Sequence, residues 1–247
     1  MTKWFLFFTL LFISLANQSY SQENWGGGTD DSPINFGFVF QAISSDYTII
    51  KKASWRDPFI DNTSMIGELV KPPLYSITSP ATPGFGLGFV TNIKLGEHFD
   101  LRFCPGYIFA DHTIKYEYAN PSDAVTQVVP FSILNLPLGI RVKSDRKRNF
   151  RSYLIAGARY SIDLLSEDKI NSDANKPLAQ KTVKNNKGIL WYEAGIGFQF
   201  YFEYFKLSPE IKFSHTVNSV LRTENHPYSA PLEKLFLQDI QFSIYLE

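Results

Sequence analysis

The sequence is 247 residues long, with 24 basic and 24 acidic residues and an aromatic share of 16%. A neutral chain lacks the basic footprint of a nucleic-acid binder, and a single cysteine, Cys104, excludes an internal disulfide. With 22 Phe and 13 Tyr against 2 Met, the composition favours strands over helices.

The first element is a leader. Lys3 precedes an apolar stretch from Trp4 to Ala16, followed at once by Asn17, Gln18 and Ser19. That stretch falls short of the roughly 20 residues a spanning helix needs and has the layout of a secretory signal peptide. Ser19 and Ser21 fit a cut after Ser21, and Ser14 and Ala16 allow one after Ala16. The expected organisation is a signal peptide over 1–21, a short periplasmic segment over 22–33 and one β domain over 34–247.

From there the chain alternates with period two rather than 3.6. Eight strands are predicted, over 34–43, 84–95, 99–118, 125–143, 152–164, 188–202, 204–217 and 235–247. Leu190, Tyr192, Ala194, Ile196, Phe198 and Phe200 share one face, opposite Trp191, Glu193, Gly195, Gly197 and Gln199. Ile240, Phe242, Ile244 and Leu246 likewise oppose Asp239, Gln241, Ser243 and Tyr245. A soluble sandwich or lipocalin-like barrel would bury the apolar face, and a membrane barrel would turn it to lipid.

Connection lengths separate these two. Long predicted loops over 44–83, 166–187 and 218–234, with a moderate one around 120–123, alternate with short turns at 96–98, 144–150 and Glu203. An even strand count with both termini at the short-turn end is the layout of an eight-stranded antiparallel up-and-down transmembrane β-barrel of the outer membrane, termini periplasmic. Pro105, Pro130 and Pro137 are expected at bulges or bends. Tyr107, Tyr116, Tyr118, Trp191, Tyr192, Tyr201, Tyr204 and Tyr245 are candidates for interfacial girdles.

Eight strands enclose a space that their own side chains fill, which argues against a general diffusion pore. The mid-strand charges Arg102, Arg141, Arg159, Asp163, Glu193, Glu210 and Lys212 are expected to face that interior as a structural network, a proton or ion path being the alternative reading. Among the histidines His98, His112, His215 and His226, one neighbourhood resembles a hydrolytic set: Ser214 beside His215, with Glu224 nearby. Adjacent residues in a strand point to opposite faces, so no catalytic residues are assigned. No phosphate loop, zinc spacing or nucleotide fingerprint occurs, and no cofactor or metal is expected.

The run from Ser79 to Gly88, the block Phe99–Phe103, the block from Phe150 to Leu164 and the block from Tyr204 to Ser214, with its Ser-Pro-Glu-Ile-Lys, resemble the PorT (SprT) family, outer-membrane barrels of Bacteroidota. The resemblance covers roughly Ser79 to Glu247 and leaves 44–78 unmatched. It implies a component or assembly factor of the type IX protein secretion system, with gliding motility in gliding species. It also implies other secretion components as partners, beside the outer-membrane lipid that the barrel reading expects, while no nucleic acid and no small-molecule substrate is expected. The alternatives are a small barrel that binds partners through its extracellular loops and, behind it, a lipid-modifying hydrolase.

Overall fold

In the computed structural model, residues 32–61, 68–166, 172 and 176–247 are described. The leader and most of the 22–33 segment lie outside them. In chain order the strands are β1 (Ile34–Lys51), β2 (Phe59–Asp61), β3 (Glu68–Lys71), β4 (Leu74–Thr78), β5 (Thr82–Lys94), β6 (Phe99–Phe103), β7 (Gly106–Tyr118), β8 (Val125–Lys143), β9 (Phe150–Asp163), β10 (Lys184–Asn185), β11 (Gly188–Tyr201), β12 (Lys206–Thr216), β13 (Leu221–Arg222) and β14 (Leu232–Leu246). β6 and β7 form a single wall interrupted at Cys104 and Pro105.

The main sheet closes on itself. β1 pairs with β14 on one side and β5 on the other, and every pairing in the ring is antiparallel. Eight walls result: β1, β5, β6 with β7, β8, β9, β11, β12 and β14. Closure satisfies the backbone groups that lipid could not. Stepping across paired residues from Asn35 leads through Asn92, Arg102, Gly139, Gly157, Glu193, Ser214 and Asp239 back to Ser45, ten residues further along β1. This stagger is what tilts the strands of a closed barrel by roughly 35–45°. A side chain on Gly157 would run into the Leu138 carbonyl and the Gly139 backbone, so this pair brings β8 and β9 close together between the larger Arg102 and Glu193.

The apolar face points outward. Phe36 is 71% exposed, Phe89 61%, Leu154 59% and Ile240 58%, while Arg102, Arg141, Arg159, Glu193, Glu210 and Lys212 are each buried to 3% exposure or less. A soluble barrel would reverse this, so the outward belt is the surface that meets lipid.

Several expectations need correction. β1 continues to Lys51 instead of ending at Ile43, because it pairs with β14 along its whole upper length. The expected loop over 44–83 is therefore shorter and contains β2, β3 and β4. Pro130 and Pro137 sit inside β8 with no register shift, and the pairing is continuous across Pro105, since Phe103 faces Leu138 and Gly106 faces Asn135. Among the girdle candidates, Tyr116, Tyr118, Trp191, Tyr201 and Tyr245 point inward and are buried. Tyr192 and Tyr204 face out.

Candidate functional site: the filled barrel interior

The lumen has two parts. Toward the short turns, the alternation of β6, β8, β12 and β14 aims polar side chains at one another. Arg102 on β6 reaches the opposite wall, with Nη1 2.8 Å from Glu210 Oε2 on β12 and Nη2 2.9 Å from Glu247 Oε1. Its Nε donates to Asn92 Oδ1 at 2.8 Å. Glu210 also accepts the Tyr153 hydroxyl at 2.8 Å and the Tyr245 hydroxyl at 2.9 Å. Glu247 is shared with Lys206 at 2.6 Å.

Neighbouring pairs complete this layer. Arg141 and Lys143 on β8 both meet Asp100, its direct cross-strand partner at Arg141, at 2.5 and 2.7 Å. Lys212 meets Glu193 at 3.0 Å, and Arg159 meets Asp239 at 2.7 Å while lying 4.1 Å from the centre of the Trp191 ring. Desolvating such charges is tolerable only because each finds an opposite charge.

The long-loop half is filled with hydrocarbon and rings. Ile43, Tyr47, Ile77, Ile114, Tyr116, Phe131, Trp191, Leu232, Leu235 and Leu237 form one buried cluster. The last long loop closes over it: Val220, Leu221 and Tyr228 join the cluster, and the Tyr116 hydroxyl donates to the Tyr228 carbonyl at 2.7 Å. The Tyr228 hydroxyl donates in turn to the Ala179 carbonyl at 3.0 Å. Lys184 donates to both Glu224 oxygens at 3.0 and 3.2 Å, tying two long loops together.

All seven charges singled out from the sequence are buried inside the barrel. Arg102, Arg141, Arg159, Glu193, Glu210 and Lys212 take part in the ion pairs above. Asp163 sits nearer the long loops, where it accepts a hydrogen bond from the Leu165 N–H at 3.0 Å. Sequence reasoning misses Asp100, Lys143, Lys206, Asp239 and Glu247 as members of the network. Each shares strand parity with another residue on the polar face of its own strand, and that signal could have found them.

The hydrolytic neighbourhood comes apart. Ser214 points into the lumen, and His215 points outward between the rings of Tyr192 and Phe236, 5.6 Å from each. Glu224, in the last long loop, pairs with Lys184 of the preceding long loop and lies 3.8 Å from His226. His112 is enclosed by Tyr47 and Phe131, and His98 lies 3.9 Å from Asp145 in a short-turn region. Among the described residues no group of His, Cys, Asp and Glu is arranged to hold a metal.

A family model described as an outer membrane protein beta-barrel domain matches residues 33–222. The chain belongs to that family. As an outer-membrane barrel it is an integral protein, which agrees with the lipid-facing belt. No curated protein is significantly similar in sequence. Solved barrels of similar structure include Neisserial surface protein A (8% identity, TM-score 0.40, covering 87% of this chain and 99% of that one) and the outer membrane protein OprG from Pseudomonas aeruginosa (11%, 0.44, 85% and 93%). A third is the outer membrane protease OmpT from Escherichia coli (9%, 0.33, 87% and 96%). At these scores the likenesses say nothing about activity.

Proposed function

We propose that this barrel is a non-enzymatic component of, or assembly factor for, the type IX protein secretion system, contributing to gliding motility where the cell glides. The observation that carries the reading is where the resembling blocks fall. They lie on the barrel walls themselves: Pro83 to Gly88 on β5, all of β6 and β9, and Lys206 to Ser214 on β12. A lumen occupied by cross-wall ion pairs below and an apolar plug above supports a scaffold that acts through its surfaces rather than a conduit.

In this reading the leader is removed, the termini and short turns face the periplasm and the long loops face outward. The ion pairs hold the walls in register, and other secretion components are the partners. The second reading is a barrel that binds partners through its long loops, favoured by their folding into an ordered cap. Deletion of the gene separates the two. Accumulation of several unrelated exported proteins in the periplasm is expected of a secretion component. Loss of surface attachment alone, with export intact, rejects that reading.

A further inference from the structure

The wall is not closed to its full height. β1 pairs with β5 only as far as Ser45 opposite Thr82, and above that point β1 continues to Lys51 with β14 alone. β4, the next strand around, pairs only with β7. Among the described residues, β1 from Asp46 upward and β4 share no pairing, which leaves a seam with a strand edge on each side. The Ser45 carbonyl accepts Thr82 Oγ1 at 3.1 Å, and the Tyr47 N–H donates to Ser79 Oγ at 3.1 Å. Strand alternation therefore aims the Ile49 N–H and C=O into the same seam.

Charge is also unbalanced here. Lys51, Lys52, Arg56 and Lys71 have no carboxylate partner among the described residues, in contrast to the paired cations of the lumen. Instead, Lys51 lies 4.2 Å and Arg56 4.9 Å from the centre of the Trp55 ring, and Lys71 lies 5.5 Å from that of Tyr118. Beside them opens a cleft of about 150 Å³ lined by Trp55, Asp57, Phe59, Lys71, Leu74 and Tyr118, in which Asp57 is the one carboxylate.

We propose that this seam is a docking site for an extended acidic peptide segment of another protein, added as a strand along the upper edge of β1. The Ile49 backbone groups, beyond the point where Ser79 caps the Tyr47 N–H, call for a partner that presents N–H and C=O at strand spacing, and a sugar or lipid headgroup does not. The four cations outnumber Asp57 and form no ion pair among the described residues, which calls for carboxylates beside them. The cleft takes an apolar side chain from the alternate face. The proposal is independent of the secretion reading: the deletion phenotype neither supports nor weakens it.

The test uses the full-length barrel in detergent micelles and three fluorescein-labelled octapeptides: alternating Glu-Val, alternating Lys-Val and alternating Glu-Pro. The Glu-Val peptide is expected to bind at least roughly tenfold more tightly than either of the others. It should also slow hydrogen exchange at the Ile49 amide. Lys51→Glu with Lys71→Glu should shift the preference to Lys-Val. Equal binding of Glu-Pro, complete displacement by inorganic phosphate, or unchanged exchange at Ile49 would reduce the site to a basic patch and overturn the proposal. Absence of binding by any of the peptides overturns it as well.

Discussion

Near the short turns, Arg102 spans the lumen to Glu210 and Glu247. Near the long loops, Leu232, Leu235 and Leu237 fill the equivalent space with hydrocarbon. The exteriors differ in the opposite sense. On β14, Ile240, Phe242 and Ile244 face outward from the charged half, whereas Glu233 and Lys234 are exposed beside the apolar half. The wall of β6 and β7 behaves alike: Phe99 and Phe103 lie outside Asp100 and Arg102, then Lys115 and Glu117 lie outside Ile114, Tyr116 and Tyr118. Inward parity holds along β6 and β7 and along β14 from Leu235 onward, shifting once at the bulge beside Leu232, but polarity inverts. Each level keeps one apolar and one polar face, and the inversion marks where lipid gives way to water. A strand apolar on both faces would lose the pattern that fixes its register.

The largest loss is expected on removing one member of the cross-lumen tie. Glu210→Leu leaves Arg102 short of a partner in a buried space and strips the acceptor from Tyr153 and Tyr245. It is expected to cost about 3–5 kcal/mol in urea unfolding from detergent micelles. Adding Arg102→Met should restore most of that loss, because a fully apolar replacement carries no stranded charge. If the double variant is no better than the single one, pairing is not what the network provides. Glu210→Asp with wild-type export, beside failed export in Glu210→Leu, would link the tie to function.

In the apolar half the corresponding cut is Leu235→Ala, a cavity rather than a charge. It is expected to cost about 3 kcal/mol and to be insensitive to salt. Faster proteolysis within the last long loop should accompany it, since that loop rests on the same cluster.

The inversion itself is tested on the outer surface. Ile211→Arg puts a charge into the lipid-facing belt and should cost about 2 kcal/mol, whereas Lys115→Leu on the outward face of β7 should change stability by less than about 0.5 kcal/mol. Similar costs at the two positions would place both in one environment and erase the boundary.

Much of this architecture is legible in the amino-acid order alone. Period two in Gly188–Tyr201 and over 239–246 separates lipid-facing from inward residues correctly, and the alternation of long and short connections carries the closed ring. Where the pattern misleads, the alternation is locally ambiguous. The polar run Ser44, Ser45, Asp46 resembles the start of a loop, although β1 passes through it, because once outside the lipid an outward Ser44 costs nothing. Tyr116 and Tyr118 read as girdle residues because an aromatic at a strand end does not declare its face, and their parity puts them inside, as it does Trp191 on the polar face of its strand. Asp100 and Lys143 escape notice, and Asp239 is placed on the polar face but left out of the network, because a charge beside another polar residue on the same face looks redundant until the partner across the strands or the lumen is known. Glu247 bonds to Arg102 across a separation of 145 residues, a contact that no local pattern encodes.

The smallest expected effect concerns how the cap is fastened to the apolar half. Tyr228→Phe removes the hydrogen bond to the Ala179 carbonyl and should lower stability by about 1 kcal/mol. Burial pushes the Tyr228 hydroxyl above its ordinary value near 10. An unfolded chain therefore releases this proton at lower pH than the folded one does. The contribution of the neutral hydroxyl is complete below about pH 10 and declines as pH rises through and beyond that value. Wild type should lose stability relative to Tyr228→Phe above about pH 10 and hold a constant advantage below it. A constant difference across the whole range would mean that the hydroxyl is open to water and that the last long loop is not seated on the plug.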